Sequence, residues 1–566
     1  MEELIARELD RFDVPGAAVA VVKDGQIELA AGFGVRDIEK NDPVTERTLF
    51  PIGSTTKAIT ATVVGCLVDA GLLEWDRPVR EYLSSFRLND PAVTQEVNLR
   101  DMLCHRTGLP RHDMLMLMYG EGGLSRAELV DRLRHLELNK GLREAWQYNN
   151  LIFAAVGQVV ETVSGLTWEQ AVARYILEPA GMTNSNFELT VSRATEDHSE
   201  PHSVKDGRVV RIPFRSIEML GPAGSINSCA EDMARWLLLN VDQGEVEGTR
   251  VISPGSLHQV HEPTMMLPGG ASQFEEIDPV GYGLGWIVEH YRGHRLLWHN
   301  GGIDGFKALV SFVPKQRAGV CVMSNRFPTE GPEALGYHLI DVLLGLEPIA
   351  WGERFRKRET TFETAAQDAK QHTESKAKPA GPTHHLNDFA GTYEHPGYGS
   401  ISFRVENEQL VADLHALEVT MKHRHYNVWD ATETAHEIVI PFAFQIDLEG
   451  DISSVEASLE PTVAPIRFER TPDEALTDPK VLESLVGTYS LGPVNIEVAA
   501  SGRRLKATLP GAGALELIPL RNFRFQAKGE AGVVLEFVVD ESGAGKQIVI
   551  ENAGVFERND TRKAGS

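Results

Sequence analysis

The sequence predicts an α/β sandwich of the α+β kind: an antiparallel sheet with an all-helical subdomain, followed by two small antiparallel β-barrel modules. Three observations predict it. Apolar runs of strand length stand at both ends of the first part of the chain and enclose a helical middle. A stretch at 353–385, charged and then mixed in Thr, Gln, Lys, Ala and Pro, holds few large apolar residues and reads as a linker. Beyond it the chain repeats itself. Leu386-Asn387-Asp388-Phe389-Ala390-Gly391-Thr392-Tyr393 matches Leu482-Glu483-Ser484-Leu485-Val486-Gly487-Thr488-Tyr489, and Phe468-Glu469-Arg470 matches Phe556-Glu557-Arg558.

The elements follow in order. Ala17 to Val22 reads as a strand, Lys23-Asp24-Gly25 as a turn and Ile27 to Ala31 as the return strand, since Asp-Gly between apolar runs is a hairpin signal. Residues 54–72 carry a helical stripe of Ile59, Val63, Leu67 and Leu72, with Gly71 at the stop. Further helices are expected at 127–136, 150–164, 167–176 and 230–240. Strands return at Leu296-Leu297-Trp298, Ala308 to Val313 and Gly319 to Met323. In the repeats, Ile401-Ser402-Phe403-Arg404-Val405 and Asn495-Ile496-Glu497-Val498 alternate as barrel strands do. The division is therefore 1–352 for the first domain, 353–385 for the linker, and 386–473 and 480–560 for the barrels.

Composition limits the function. The 566 residues hold 55 Lys and Arg against 81 Asp and Glu, a net charge of −26. Such a surface repels phosphate backbones and anionic lipid, so neither nucleic acid nor membrane is an expected partner. Cys66, Cys104, Cys229 and Cys321 are scattered among apolar neighbours and read as buried thiols. No His-Glu-x-x-His pattern occurs, and no metal or cofactor is expected. The first dozen residues carry a helical stripe of Leu4, Ile5, Leu9 and Phe12 and lack a basic and then apolar leader, so a cytoplasmic location is expected.

Three motifs carry chemistry. In Gly53-Ser54-Thr55-Thr56-Lys57, Ser54 opens a helix, where unpaired N–H groups favour negative charge. Lys57 lies one turn along on the same face. A serine needs a base, and a lysine serves if burial lowers its pKa. Taken alone, Ser-x-x-Lys also describes a helix cap followed by a solvated lysine. In Trp146-Gln147-Tyr148-Asn149-Asn150, Tyr148 is a second candidate base, its proton loosened by nearby cations, and Asn150 is placed to hydrogen-bond the lysine and a substrate amide. In Trp298-His299-Asn300-Gly301-Gly302, glycines beside a strand suggest close approach of a ligand to backbone. The N–H groups of Gly302 and Ser54 then form a candidate oxyanion hole, with Asn300 and Gly301 along the substrate-binding edge.

Together, the three motifs make the chain resemble the penicillin-recognising serine hydrolases, the class C β-lactamase and D-aminopeptidase group. The resemblance covers about residues 1–350. His299-Asn300-Gly301 stands where many relatives have Lys-Thr-Gly, and Leu103 to Pro110 and Pro222 to Ser228 are similar to further family segments. It implies a transpeptidase-like sandwich and an acyl-enzyme on Ser54, with Lys57 and Tyr148 moving protons and His299 orienting Tyr148 or binding a carboxylate. It also implies a small-molecule or short-peptide substrate. A catalytic domain followed by small lipocalin-like barrels further resembles bacterial D-aminopeptidases, which implies a barrel loop near the site or a homo-oligomer held through the barrels. The expected function is hydrolysis of small amides, D-amino-acid-type peptides or esters. The alternatives are a β-lactamase or D,D-carboxypeptidase, and a silent scaffold.

Overall fold

The computed structural model describes residues 1–559 apart from 121–122, 269–273, 376–377, 379, 434–437, 449 and 531. The first domain is built on an eight-stranded antiparallel sheet. Its strands are β1 (Gly16–Lys23), β2 (Gln26–Asp37), β3 (Asp42–Pro43), β4 (Ile277–Tyr282), β5 (Ile287–Tyr291), β6 (His294–Ile303), β7 (Phe306–Val313) and β8 (Ala318–Ser324). They lie in the order β4-β5-β6-β7-β8-β1-β2-β3, so the two ends of the domain meet where β8 pairs with β1. The β1–β2 turn places Asp24 and Gly25 at φ +51° and +72°, which the Asp-Gly pair tolerates.

β1 is buried along all but its last residue because helices cover both faces of the sheet. Ala18, Ala20 and Val22 enter the larger core on one face. Ala17, Val19 and Val21 enter a second core on the other. α1 (Glu2–Arg11) lies on the second face with α6 (Gly331–Leu344) and α7 (Trp351–Ser375), and α2 (Thr56–Asp69), α3 (Met114–Tyr119), α4 (Asn150–Ser164) and α5 (Ala230–Val241) lie on the first. α2 is buried nearly all round, as an apolar helix crossing a core must be. The helix expected at 167–176 is present as Trp168–Val172 continued by a wider turn over Ala173–Leu177. Among the described residues no single helix is long and apolar enough to cross a membrane.

The stretch 353–385 differs from the expected linker in being helical up to Ser375. Its Glu, Lys, Arg, Gln and Ala favour helix. Its first turns are also anchored: Trp351 and Phe355 are buried in the second core, and Glu359 pairs with the buried Arg326.

Each repeat forms a closed eight-stranded barrel, from Gly391–His395 to Ile466–Arg470 and from Gly487–Leu491 to Gly554–Arg558. The repeated words are the two edges of the closing seam. Tyr393 pairs with Arg470, and Tyr489 with Arg558. Each tyrosine hydroxyl donates to the carbonyl four residues back, Phe389 and Leu485, at 3.1 and 2.8 Å. Each arginine donates to carbonyls of the preceding helical turn, Asp388 and Ser484. The motif is thus what seals a sheet that would otherwise expose two edges.

Candidate active site

The first motif lies between the sheet and the helical subdomain. Gly53 has φ +52°, so the chain turns sharply into a short 3-10 segment before α2. Ser54 remains partly exposed while Lys57 is fully buried. The Lys57 ammonium has two oxygen partners, Ser54 Oγ at 3.1 Å and the Ala223 carbonyl at 2.8 Å. It also sits 4.8 Å over the Tyr148 ring and 5.3 Å over that of Phe153. Burial drives its pKa well below the usual lysine value; Asp113 opposes that shift and Arg111 adds to it.

Tyr148 is hydrogen-bonded to Ser54, which favours its ionised form, but enclosure of its hydroxyl pushes its pKa up overall. The nearby cations do not outweigh desolvation, contrary to the expectation of a readily lost proton. The two shifts run in opposite directions: burial makes Lys57 give up its proton more readily than usual and Tyr148 less readily. An uncharged Lys57 amine can keep its bond to the Ala223 carbonyl and accept the Ser54 proton.

The third motif is part of a strand. β6 runs from His294 to Ile303, whereas β5 pairs with it only up to Trp298. Among the described residues the outer edge of His299 to Ile303 therefore has no strand partner in that sheet, while the inner edge pairs with β7. A Cβ on Gly301 would lie 2.0 Å from the Ile52 carbonyl oxygen and 2.9 Å from the Ser54 nitrogen, and one on Gly53 would lie 3.0 Å from the Gly302 nitrogen. Only glycine permits this contact between the edge strand and the nucleophile turn. It brings the Ser54 and Gly302 amides to one place.

His299 is 2% exposed. Its Nδ1 lies 2.6 Å from the Asn300 carbonyl, which can only accept, so Nδ1 carries the proton and Nε2 accepts from the Tyr282 hydroxyl at 2.9 Å. Burial, reinforced by Lys57, lowers its pKa to about 3. A neutral, enclosed imidazole does not offer a charge to a carboxylate. Its ring centroid is 6.2 Å from that of Tyr148.

Two predicted residues point elsewhere. The side chain of Asn300 emerges on the other face of the sheet and donates to Glu333 at 2.8 Å. Side chains alternate along a strand, so Asn300 and His299 cannot both face Ser54. Asn150 donates to Asp113 at 3.0 Å, and no hydrogen bond to Lys57 is present among the described residues.

Three residues of the site escaped motif reading. His105 is buried at its centre, with ring centroids of Tyr148, Phe153 and Tyr282 at 4.5, 5.1 and 5.0 Å, and its Nδ1 accepts from the Asn149 amide at 3.1 Å. Arg111 lies 4.9 Å over the Tyr148 ring and donates to Asp113 at 2.7 Å. The first barrel holds this 111–113 segment. Tyr398 Oη is 2.8 Å from His112 Nδ1, Glu460 accepts the His112 amide at 3.0 Å, and the Tyr398 carbonyl accepts from Tyr119 Oη at 2.9 Å. α3, the Met-rich helix, ends in this seam, where its Met118 carbonyl accepts the Ala416 amide at 2.7 Å.

Known proteins share this plan. An unguisins hydrolase from Aspergillus campestris is 28% identical over 487 residues, covering 81% of this chain and 89% of its own. An unguisins hydrolase from Aspergillus violaceofuscus is 29% identical over 429 residues, 71% and 75% of the two chains. Among solved structures, the octameric penicillin-binding protein homologue from Pyrococcus abyssi covers 91% of this chain and 98% of its own with a TM-score of 0.55 at 20% identity. SurE covers 83% and 97% with a TM-score of 0.50 at 18% identity. These two show the fold. A domain of unknown function, DUF3471, matches residues 375–470, the first barrel. The Beta-lactamase model matches residues 1–344, more than half of the chain, and with the serine, lysine and strand edge assembled as above the chain belongs to the beta-lactamase family.

Proposed function

We propose that this serine hydrolase works through an acyl-enzyme on Ser54 and cleaves small amides, D-amino-acid-type peptides or esters. The observation that carries the reading is the buried Lys57 amine, 3.1 Å from Ser54 Oγ and depressed in pKa by its surroundings. Lys57 Nζ takes the Ser54 proton as Oγ bonds to the substrate carbonyl carbon. The charge that collects on the carbonyl oxygen faces the Ser54 and Gly302 amides. When the carbonyl–leaving-group bond breaks, the leaving nitrogen or oxygen takes a proton from the Lys57 ammonium, relayed by the Tyr148 hydroxyl. Water then enters with Lys57 again as base, and Ser54 regains its proton. His299 and His105 position Tyr148 as neutral supports. The free edge of β6 pairs with the backbone of a peptide-like substrate. The hydrolase names of the fungal relatives favour this over a silent scaffold, and the neutral His299 favours it over a β-lactamase or D,D-carboxypeptidase that reads a carboxylate there. The octameric neighbour is the support for self-association.

The test is a fluorophosphonate label followed by turnover of D- and L-amino nitroanilides, short-chain esters and nitrocefin. Wild type is expected to label and Ser54→Ala to lose both label and turnover, by at least about 10³-fold. An unlabelled wild type refutes the acyl-enzyme, and nitrocefin turnover far above the others refutes the substrate class.

A further inference from the structure

The face of the sheet opposite Ser54 holds a half-open cavity of about 250 Å³ between β4–β7 and the helices α6 and α7. Its walls include Glu289, Trp298, Ser311, Glu333, Tyr337 and Phe355. The packing does not close it, because α6 already touches the sheet: a Cβ on Gly336 would lie 2.2 Å from Leu309 Cδ2.

The polar groups of this cavity are unevenly served. Glu289 is satisfied, accepting from the Tyr337 hydroxyl at 2.5 Å and Trp298 Nε1 at 2.8 Å. Glu333 Oε1 has the Asn300 amide and the Lys307 ammonium, each at 2.8 Å. Glu333 Oε2 and Ser311 Oγ, in residues 5% and 3% exposed, have no hydrogen-bond partner among the described residues. Leaving such groups unmet costs about 1–3 kcal/mol each, and natural interiors rarely tolerate it without a reason. The unmet Glu333 oxygen calls for a hydrogen-bond donor, and the carboxylates at and beside the cavity, Glu289, Glu330 and Glu333, outnumber the cations, Lys307 and Arg358. The cation in the wall, Arg358, is already committed to Glu330 at 2.7 Å. An apolar body suits the rest, since a cavity of roughly 150 Å³ can hold benzene.

We propose that this cavity is a binding site for a small primary amine on an aryl or short alkyl body, its ammonium meeting Glu333 Oε2 and Ser311 Oγ. The site is separate from Ser54 but shares β6 with it. Trp298 lines the cavity and Asn300 holds its acid, while His299 between them faces the catalytic side.

The test uses the full-length protein with 2-phenylethylamine, read by tryptophan emission and calorimetry, against 2-phenylethanol and 3-phenylpropionate. The amine is expected to bind saturably, the alcohol at least tenfold more weakly and the carboxylate not at all. Ser311→Leu, which fills the cavity, is expected to abolish binding. Glu333→Gln, which turns a donor toward the ligand and keeps the side-chain volume, is expected to weaken it at least tenfold. No saturable binding of the amine, alcohol binding as tight as amine binding, or amine binding undiminished in Glu333→Gln overturns the proposal.

Discussion

The two barrels share a fold and a closing motif but not a role. The core of the first is continuous with that of the catalytic domain. The second has a core of its own. One hairpin shows part of the difference, beside the first barrel's contacts through Ala416 and Glu460. Between Tyr393 and its partner Ile401, the first barrel's turn is one residue longer than the second's, between Tyr489 and Ile496. The longer turn carries Tyr398, fully buried against His112. The shorter one ends in Val494, 38% exposed. The second barrel instead meets the first through the ion pairs of Arg521 and Arg524 with Asp451. A duplicated module acquires a catalytic neighbour when one turn supplies a large, hydrogen-bonding side chain. The other copy keeps the contacts that close it and those that tie it to the first barrel.

Truncation tests this contrast most strongly. Removing residues 386–566 uncovers Tyr119 and frees the 111–113 segment, so activity is expected to fall by more than about 100-fold or the protein to aggregate. Removing 478–566 is expected to leave kcat/KM within about threefold. Equal losses would break the distinction.

A single hydroxyl sharpens it. Tyr398→Phe removes the bond to His112 and is expected to lower kcat/KM several-fold, equivalent to about 1 kcal/mol. Tyr489→Phe removes the seam bond to Leu485 and is expected to lower the unfolding midpoint of the second barrel without changing kinetics. Steady-state rates and calorimetry on both variants decide.

The smallest effects are expected in the pH profile. Activity should rise with pH as Lys57 loses its proton, with a midpoint below the usual lysine value, because burial lowers its pKa. His299, lowered to about 3, does not contribute to that limb. Asp113 raises the lysine's proton affinity and Arg111 reduces it. Asp113→Asn is therefore expected to move the acid limb to lower pH and Arg111→Gln to higher pH. Shifts of the opposite sign would show that the segment held by the first barrel does not tune Lys57.

How much of the site could be read from sequence follows from the range of each cause. Ser54 and Lys57 are three apart on a helix start, and the Gly301-Gly302 pair sits in an apolar strand, so local pattern finds them. The expectation of Asn300 along the substrate-binding edge rests on the glycines beside it, whereas the strand continues through this segment and turns its side chain to Glu333. Extending the strand to Ile303 and applying its period of two would have turned Asn300 away from His299. His105 lay in a recognised segment with nothing local to reveal its rings of neighbours. Arg111 and Asp113 are ordinary charges in a loop until Tyr398 and Glu460, about 290 and 350 positions away, hold the His112 between them.

The sequence by itself determined the hairpin at Asp24-Gly25, the helix behind Ser54, the barrels and the words that seal them. Those depend on backbone preferences and on apolar period, which act over a few residues. Only the tertiary structure decided that Lys57 is buried with a lowered proton affinity, that His299 is neutral, and that one barrel packs against the segment beside Tyr148 while the other does not. Proton affinity is set by what excludes water from a group, and the residues that exclude it come from distant parts of the chain.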